Sequence, residues 1–259
     1  MSSFYTNIQL AGDTILYRGY EDGEAVQYRT SFSPTLYVLS RNNEDFKTLD
    51  GRDVSPLQFE SARQARDFIK KYEGVEGFEV HGYERFVYQY IRQEFPGEVD
   101  YVISAMKIYA LDIEVQCENG FPDVDSAAEE MLSITIKDMI TKKYYVWAMR
   151  EFVPPEGVEY KVFWTENEML EDFITWWSNN TPDILTGWNV NLYDVPYIAR
   201  RVNRVLGEKW MKSLSPWNRA NEREVYVQGR KNYAYDISGV NILDYLDLYR
   251  KFTYSSQES

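Results

Sequence analysis

Lys107-Ile108-Tyr109-Ala110-Leu111-Asp112-Ile113-Glu114-Val115 is the stretch that decides how this chain is read. In a strand, alternate residues point to opposite faces, so Tyr109, Leu111, Ile113 and Val115 share one side while Ile108, Ala110, Asp112 and Glu114 share the other. Both faces begin apolar, as in a central strand covered on both sides, but one of them ends in two carboxylates. At about 3.3 Å rise per residue these acids stand roughly 7 Å apart. Like charges that close, and partly out of water, repel each other and favour uptake of a proton. A divalent cation removes the penalty: hard cations take carboxylate oxygens, and two metals about 4 Å apart can clamp the attacking and leaving oxygens of a phosphoryl displacement. Taken alone, the stretch favours a plainer reading, a strand that runs out into a solvated acidic turn.

Working outward, 259 residues with 44% apolar content suit one large or two ordinary domains with a real core. Aromatic residues make up 16%, which argues against disorder. Cys117 is the single cysteine, so no intramolecular disulfide can form, and a reducing cytoplasmic setting is expected. The first residues carry neither a basic nor an apolar signal region, and no apolar run reaches the roughly 18 residues of a membrane span, so neither export nor a membrane partner is expected.

The net charge of -13 speaks against a generic nucleic-acid binder, but its distribution carries more information. Ile108 to Ile136 contains no Lys or Arg and seven acids, whereas Arg200 to Lys231 contains nine bases against three acids. An acidic and a basic segment in one domain suit a metal site beside a phosphate-backbone track; a solvated helix face followed by a basic loop is the alternative.

The first hundred residues read as a mixed α+β unit. Thr14 to Tyr20 and Ala25 to Thr30 flank Asp22-Gly23, a strong hairpin signal, and Leu36 to Leu39 continues the pattern. Ser61 with Gln64 forms a capping box for a helix that Gly74 closes. Pro96-Gly97 marks the boundary region, giving units 1–103 and 104–259. His81, the only histidine, is read as structural or exposed.

In the second unit, Met131 to Met139 and Lys143 to Ala148 are expected strands, and Thr165 with Glu168 caps a helix whose Leu170, Phe173, Ile174 and Trp177 form a core stripe. Asp183 to Asn189 is a short apolar strand, followed by a helix from Val195 to Leu206 for which Asp194 is the expected N-cap. Two strands around Gly229-Arg230-Lys231 make a hairpin with a basic tip, Val240 to Leu243 a last strand, and Tyr245 to Lys251 a final helix. A strand ending in two acids, a crossover, and a second strand ending beside Asp194 would converge three carboxylates at one edge of an α/β sheet.

Asp112-Ile113-Glu114, together with Thr186-Gly187-Trp188-Asn189 and the Tyr193-Asp194 that closes the Asn189-x-x-x-Tyr-Asp pattern, resembles the first two exonuclease motifs of family B DNA polymerases. The whole chain is similar to the N-terminal third of the replicative polymerases of large tailed phages. The resemblance implies an α+β N-terminal domain and then a proofreading 3′-to-5′ exonuclease, an α/β ribonuclease-H-like fold with a five-stranded mixed sheet. It implies that Asp112, Glu114 and Asp194 are catalytic and hold Mg²⁺ or Mn²⁺, and that Asn189 places the 3′-terminal nucleotide. Phe121 would lie on the loop that meets the strand end, and Arg223, Arg230 and Lys231 would contact DNA on the hairpin that helps move a primer end. Host cytoplasm during infection is the implied setting.

The departure from the family pattern is as specific. No Tyr is followed by Asp four residues on, so the Tyr-x-x-x-Asp motif that supplies a fourth carboxylate is missing, as are the covering helices and every polymerase motif. The expectation is a truncation or one piece of a split polymerase, with weak or no nuclease activity alone and an apolar patch for the remainder of the polymerase or a second subunit. Two other readings stand beside it. One is a non-catalytic DNA-binding or assembly module; the other is a free-standing nuclease taking its fourth ligand from Asp244 or Asp247.

Overall fold

The computed structural model describes residues 3–253 apart from 43, 83, 118, 119, 121 and 228. The chain divides into two compact units, Met1–Tyr101 and Val102–Ser259.

In the first unit, β1 (Ser3–Ala11), β2 (Thr14–Glu21) and β3 (Glu24–Ser31) form an antiparallel sheet. Asp22 and Gly23 both take positive φ, 52° and 88°, the mirror-image turn whose twist matches the flanking strands. Next come β4 (Thr35–Leu39), β5 (Phe46–Lys47), β6 (Asp53–Gln58), α1 (Ala62–Tyr72), β7 (Val80–His81) and α2 (Phe86–Glu94). β4 does not extend the first sheet; it lies in a separate sheet of order β5-β6-β4-β7. β6 gives little strand signal because it contains Pro56, which pairs opposite Tyr37. Ser61 caps α1 by accepting from the Gln64 N–H at 3.2 Å, while the Gln64 side chain accepts from the Glu60 N–H, one residue short of the usual reciprocal bond. Ala62 and Ala65 join Ile15, Tyr17, Leu36 and Phe86 in the core of this unit.

The second unit is built on six strands in the order β11-β10-β9-β8-β12-β15. In chain order these and their helices are β8 (Ile108–Val115), β9 (Met131–Asp138), β10 (Tyr144–Ala148), β11 (Val158–Val162), α3 (Glu166–Asn179), β12 (Ile184–Gly187), α4 (Asp194–Val205) and α5 (Glu208–Lys212). β13 (Ala220–Val227), β14 (Arg230–Ile237), β15 (Asn241–Asp244) and α6 (Tyr245–Phe252) follow. The sheet is mixed: β8 runs antiparallel to β9 and parallel to β12, and β12 is parallel to β15. It has one strand more than the five expected. β11 is the addition, an edge strand parallel to β10 with no fully buried position, which leaves only a weak apolar pattern.

Tyr109, Leu111 and Ile113 of β8 belong to one buried cluster with Leu170, Phe173, Ile174 and Trp177 of α3 and Val195, Ile198 and Val202 of α4. The Trp and Phe stripe of α3 is therefore core, each such side chain contributing about 1.5–3 kcal/mol by burial. At the opposite end of the strands from the acids, buried Asp183 accepts from the Lys107 N–H through Oδ2, and its carbonyl accepts from the N–H and side chain of Asn241. That one residue aligns the starts of β8, β12 and β15.

β13 and β14 form an antiparallel hairpin in which Val227 pairs with Arg230. Arg230 and Lys231 thus lie in the strand, not at the tip. α6 has no buried residue, and Leu243, Tyr245, Leu248, Tyr249 and Phe252 are exposed along β15 and α6. Among the described residues no helix is long and apolar enough to cross a membrane.

Candidate active site

On β8 the buried Tyr109, Leu111 and Ile113 alternate with exposed Asp112 and Glu114, so the two acids share a face at the carboxyl end of a central strand. The β8–β9 register shifts between Glu114 and Val115, an irregularity that ends regular pairing just past the second acid.

Asp194 is the first residue of α4, one place inside the cap position expected for it; Tyr193 is the cap. Its carboxylate leaves its own helix and accepts from the backbone N–H of Ile113 at 3.1 Å. Ile113 is the residue between the two strand acids, so this bond ties Asp194 to the strand that carries them. Asp194 is only 4% exposed. Burial, and then the charge of Asp112, push its pKa up to about 7; backbone N–H groups, that of Ile113 among them, partly offset the rise, and Asp244 adds to it. The Tyr193 phenol is raised by burial and then by Asp194, Glu114, Cys117 and Glu129, groups that gather around this end of the sheet.

The connection from β12 to α4 is tightly determined. A side chain at Gly187 would place its Cβ 2.7 Å from the Leu111 carbonyl and 3.1 Å from the Val190 Cβ, so only glycine lets β12 approach β8 here. Asn189 has φ of 60°, a left-handed conformation that Asn tolerates well, and its carbonyl accepts from the N–H groups of Leu192 and Tyr193. Buried Asp244 holds this loop from across the sheet: Oδ1 accepts from Asn189 N at 3.0 Å, Oδ2 from Asn191 N at 2.9 Å, and Oδ1 also caps α6 through Leu246 N. Neither role was read from the sequence: the cap has a local signal, an acid just before a helix, whereas the clamp reaches a loop more than fifty residues earlier and has none. Asp247 is exposed on α6. Beside Asn189, Trp188 is 57% exposed and its ring lies 5.9 and 5.7 Å from those of Tyr245 and Tyr249.

Among the described residues no three His, Cys, Asp or Glu side chains are grouped closely enough to hold a metal ion. The donor chemistry nevertheless fits a hard divalent cation. All three groups are carboxylates, and the buried one stays ionised only at a cost that a nearby positive charge would remove.

The residues expected to touch DNA are placed less uniformly. Arg223 pairs with Asp236 at 2.7 Å, and Lys231 pairs with Glu224 at 2.5 Å while lying over the Tyr233 ring. Arg230 is exposed on β14, and Phe121 lies outside the described residues. An ion pair joins the acidic segment to the basic one, and other arginines of the basic segment pair elsewhere in the unit. Arg200 pairs with Asp125, and buried Arg201 makes a two-pronged pair with Glu166, whose carboxylate also accepts from the Met131 N–H where β9 begins.

Residues 84–259 match the family described as DNA polymerase family B, exonuclease domain. Over its whole length the chain is 32% identical to the DNA-directed DNA polymerase of Enterobacteria phage T4 and 28% identical to that of Escherichia phage RB69. A stretch covering 38% of the chain is 24% identical to the DNA polymerase catalytic subunit of human herpesvirus 6B, of which it spans 10%. The chain spans about a third, 32%, of the length of the two phage relatives.

Proposed function

The chain belongs to the exonuclease-domain family of family B DNA polymerases, and from that premise we propose that Asp112, Glu114 and Asp194 form a site for 3′-to-5′ hydrolysis of DNA ends. The observation that carries this reading is the Asp194 to Ile113 hydrogen bond, which ties the third carboxylate to the strand bearing the other two. When bound there, Mg²⁺ or Mn²⁺ supplies the positive charge that activates water and stabilises the leaving oxygen of a phosphodiester. The residues do the rest. Asp112 and Glu114 present ligand oxygens from a rigid strand, Asp194 adds a third from a buried helix start, and Asn189, with its backbone fixed by Asp244, faces the terminal nucleotide.

On this reading Val102–Ser259 carries the exonuclease site and Met1–Tyr101 is the polymerase's N-terminal domain. The partners are single-stranded 3′ ends of DNA and the remaining polymerase domains, in one chain or in a second subunit, working in the host cytoplasm. The exposed Leu243, Tyr249 and Phe252 suit contact with those domains. A purely DNA-binding role has less support, because Arg223 and Lys231 are paired with acids of their own hairpin.

The test is the direction of cleavage. A 5′-labelled single-stranded oligomer in Mg²⁺ or Mn²⁺ should shorten in single-nucleotide steps from its 3′ end. Scattered internal cuts, or loss from the 5′ end, would contradict the assignment.

A further inference from the structure

α4 does more than present Asp194. Tyr197, Arg200, Arg201 and Arg204 recur at i, i+3, i+4 and i+7, and so lie on one face of the helix. All four donate to the chain returning from β8 to β9: Tyr197 Oη to the Glu129 carbonyl at 2.7 Å, Arg200 to that of Val124 at 2.9 Å, Arg201 to those of Ala127 and Ala128 at 3.2 and 2.6 Å, and Arg204 to that of Ser126 at 3.3 Å. Arg200 reaches furthest. Its guanidinium also binds the Asp125 carboxylate at 2.6 Å and Glu222 of β13 at 2.8–2.9 Å, and lies 4.9 Å over the Tyr233 ring of β14. The arginine side chain is 14% exposed although it carries a charge, which five donors in a fixed fork make affordable only when most of them are used. The held segment borders the site: the Gln116 N–H, two residues past Glu114, donates to the Glu130 carbonyl at 2.9 Å.

We propose that Arg200 is a positioning residue, joining the hairpin β13–β14 to residues 124–125 so that residues 124–130, which lead into β9, keep one conformation and help receive the DNA end in one pose. The proposal rests on the exonuclease reading for its effect on DNA, but its structural half does not. Lysine cannot replace the fork, because one ammonium cannot serve a carbonyl and two carboxylates on different elements with the same geometry.

The sole cysteine, exposed Cys117, lies on the same returning chain, so its reaction with a thiol reagent reports how firmly that chain is held, without DNA. Arg200→Met should raise the modification rate roughly fivefold and Arg200→Lys less, the size expected for losing a charge-assisted contact. On a single-stranded oligomer in Mn²⁺, KM should rise by a similar factor, with kcat within about twofold, as for a lost binding contact. Asp125→Asn, which leaves α4 untouched, should shift both readouts the same way and covers the case in which Arg200→Met does not fold. Unchanged thiol rates in the folded variants, or a loss confined to kcat, would overturn the proposal. If the parent leaves the oligomer intact, as the missing fourth carboxylate allows, the thiol rates alone decide whether Arg200 fixes the segment.

Discussion

The Asp194 carboxylate accepts a hydrogen bond from the Ile113 N–H at 3.1 Å, tying a buried acid to the point on β8 that lies between Asp112 and Glu114. Its pKa is raised from 3.8 to about 7, chiefly by burial and by Asp112. A raised pKa means that the folded chain binds more protons than the unfolded chain between about pH 4 and pH 7, so stability falls as pH rises through that window. Without divalent metal, Asp194→Asn should therefore be more stable than the parent at pH 8, by on the order of 2–4 kcal/mol, and no more stable at pH 4. Thermal melts at the two pH values check this, and a variant less stable than the parent at pH 8 would contradict it.

The same electrostatics predict how a cation acts. Mg²⁺ or Mn²⁺ competes with the proton on Asp194, so the rise in Tm on adding the ion should be larger at pH 8 than at pH 6. At about a hundredfold excess over Kd the stabilisation approaches roughly 2.7 kcal/mol. Asp112→Ala should abolish most of it. A pH-independent increment that survives in Asp112→Ala would place the ion elsewhere.

Gly187 is predicted to be intolerant of any side chain, since an added Cβ meets the Leu111 carbonyl, a backbone atom that cannot swing away. Gly187→Ala should cost about 2 kcal/mol or more in a denaturant melt, with the m-value unchanged. Gly97→Ala is the control, because nothing lies within 4 Å of its added Cβ and its φ is not positive. Equal midpoints for the two variants would refute the close-approach explanation.

Asp244 accepts three backbone N–H bonds while buried, so Asp244→Ala orphans three donors and should destabilise by roughly 3 kcal/mol or more. Asp244→Asn should cost less: its remaining oxygen still serves Asn189 and Leu246, whereas its amide cannot accept from Asn191. Urea melts of the two variants should rank in that order. Equal losses would mean that the negative charge matters and not the count of acceptors.

Much of this was legible from local pattern. The alternation in Lys107–Val115, the capping boxes at Ser61 and Thr165 and the Asp22-Gly23 turn are short-range signals, and each marks the element found. β6 was hidden by Pro56 and β11 by its half-exposed edge position. The site was legible only in part. Asp112 and Glu114 announce themselves by spacing, but Asp194 looked like a helix cap because the bond that sets its part is made to a residue 81 positions earlier. The basic segment illustrates the reverse. Counting Arg and Lys gives charge without partners, and most of the charge on Arg200, Arg201, Arg223 and Lys231 is spent on acids of the same unit.

Whether Asp112, Glu114 and Asp194 work as one nuclease site is measured by comparing the parent chain with Asp112→Ala/Glu114→Ala and with Asp194→Asn, on one 5′-labelled single-stranded DNA in Mn²⁺ at high protein concentration. Slow stepwise loss from the 3′ end by the parent, absent from both variants although both remain folded, is the expected result. Equal degradation by all three would remove these carboxylates from the chemistry.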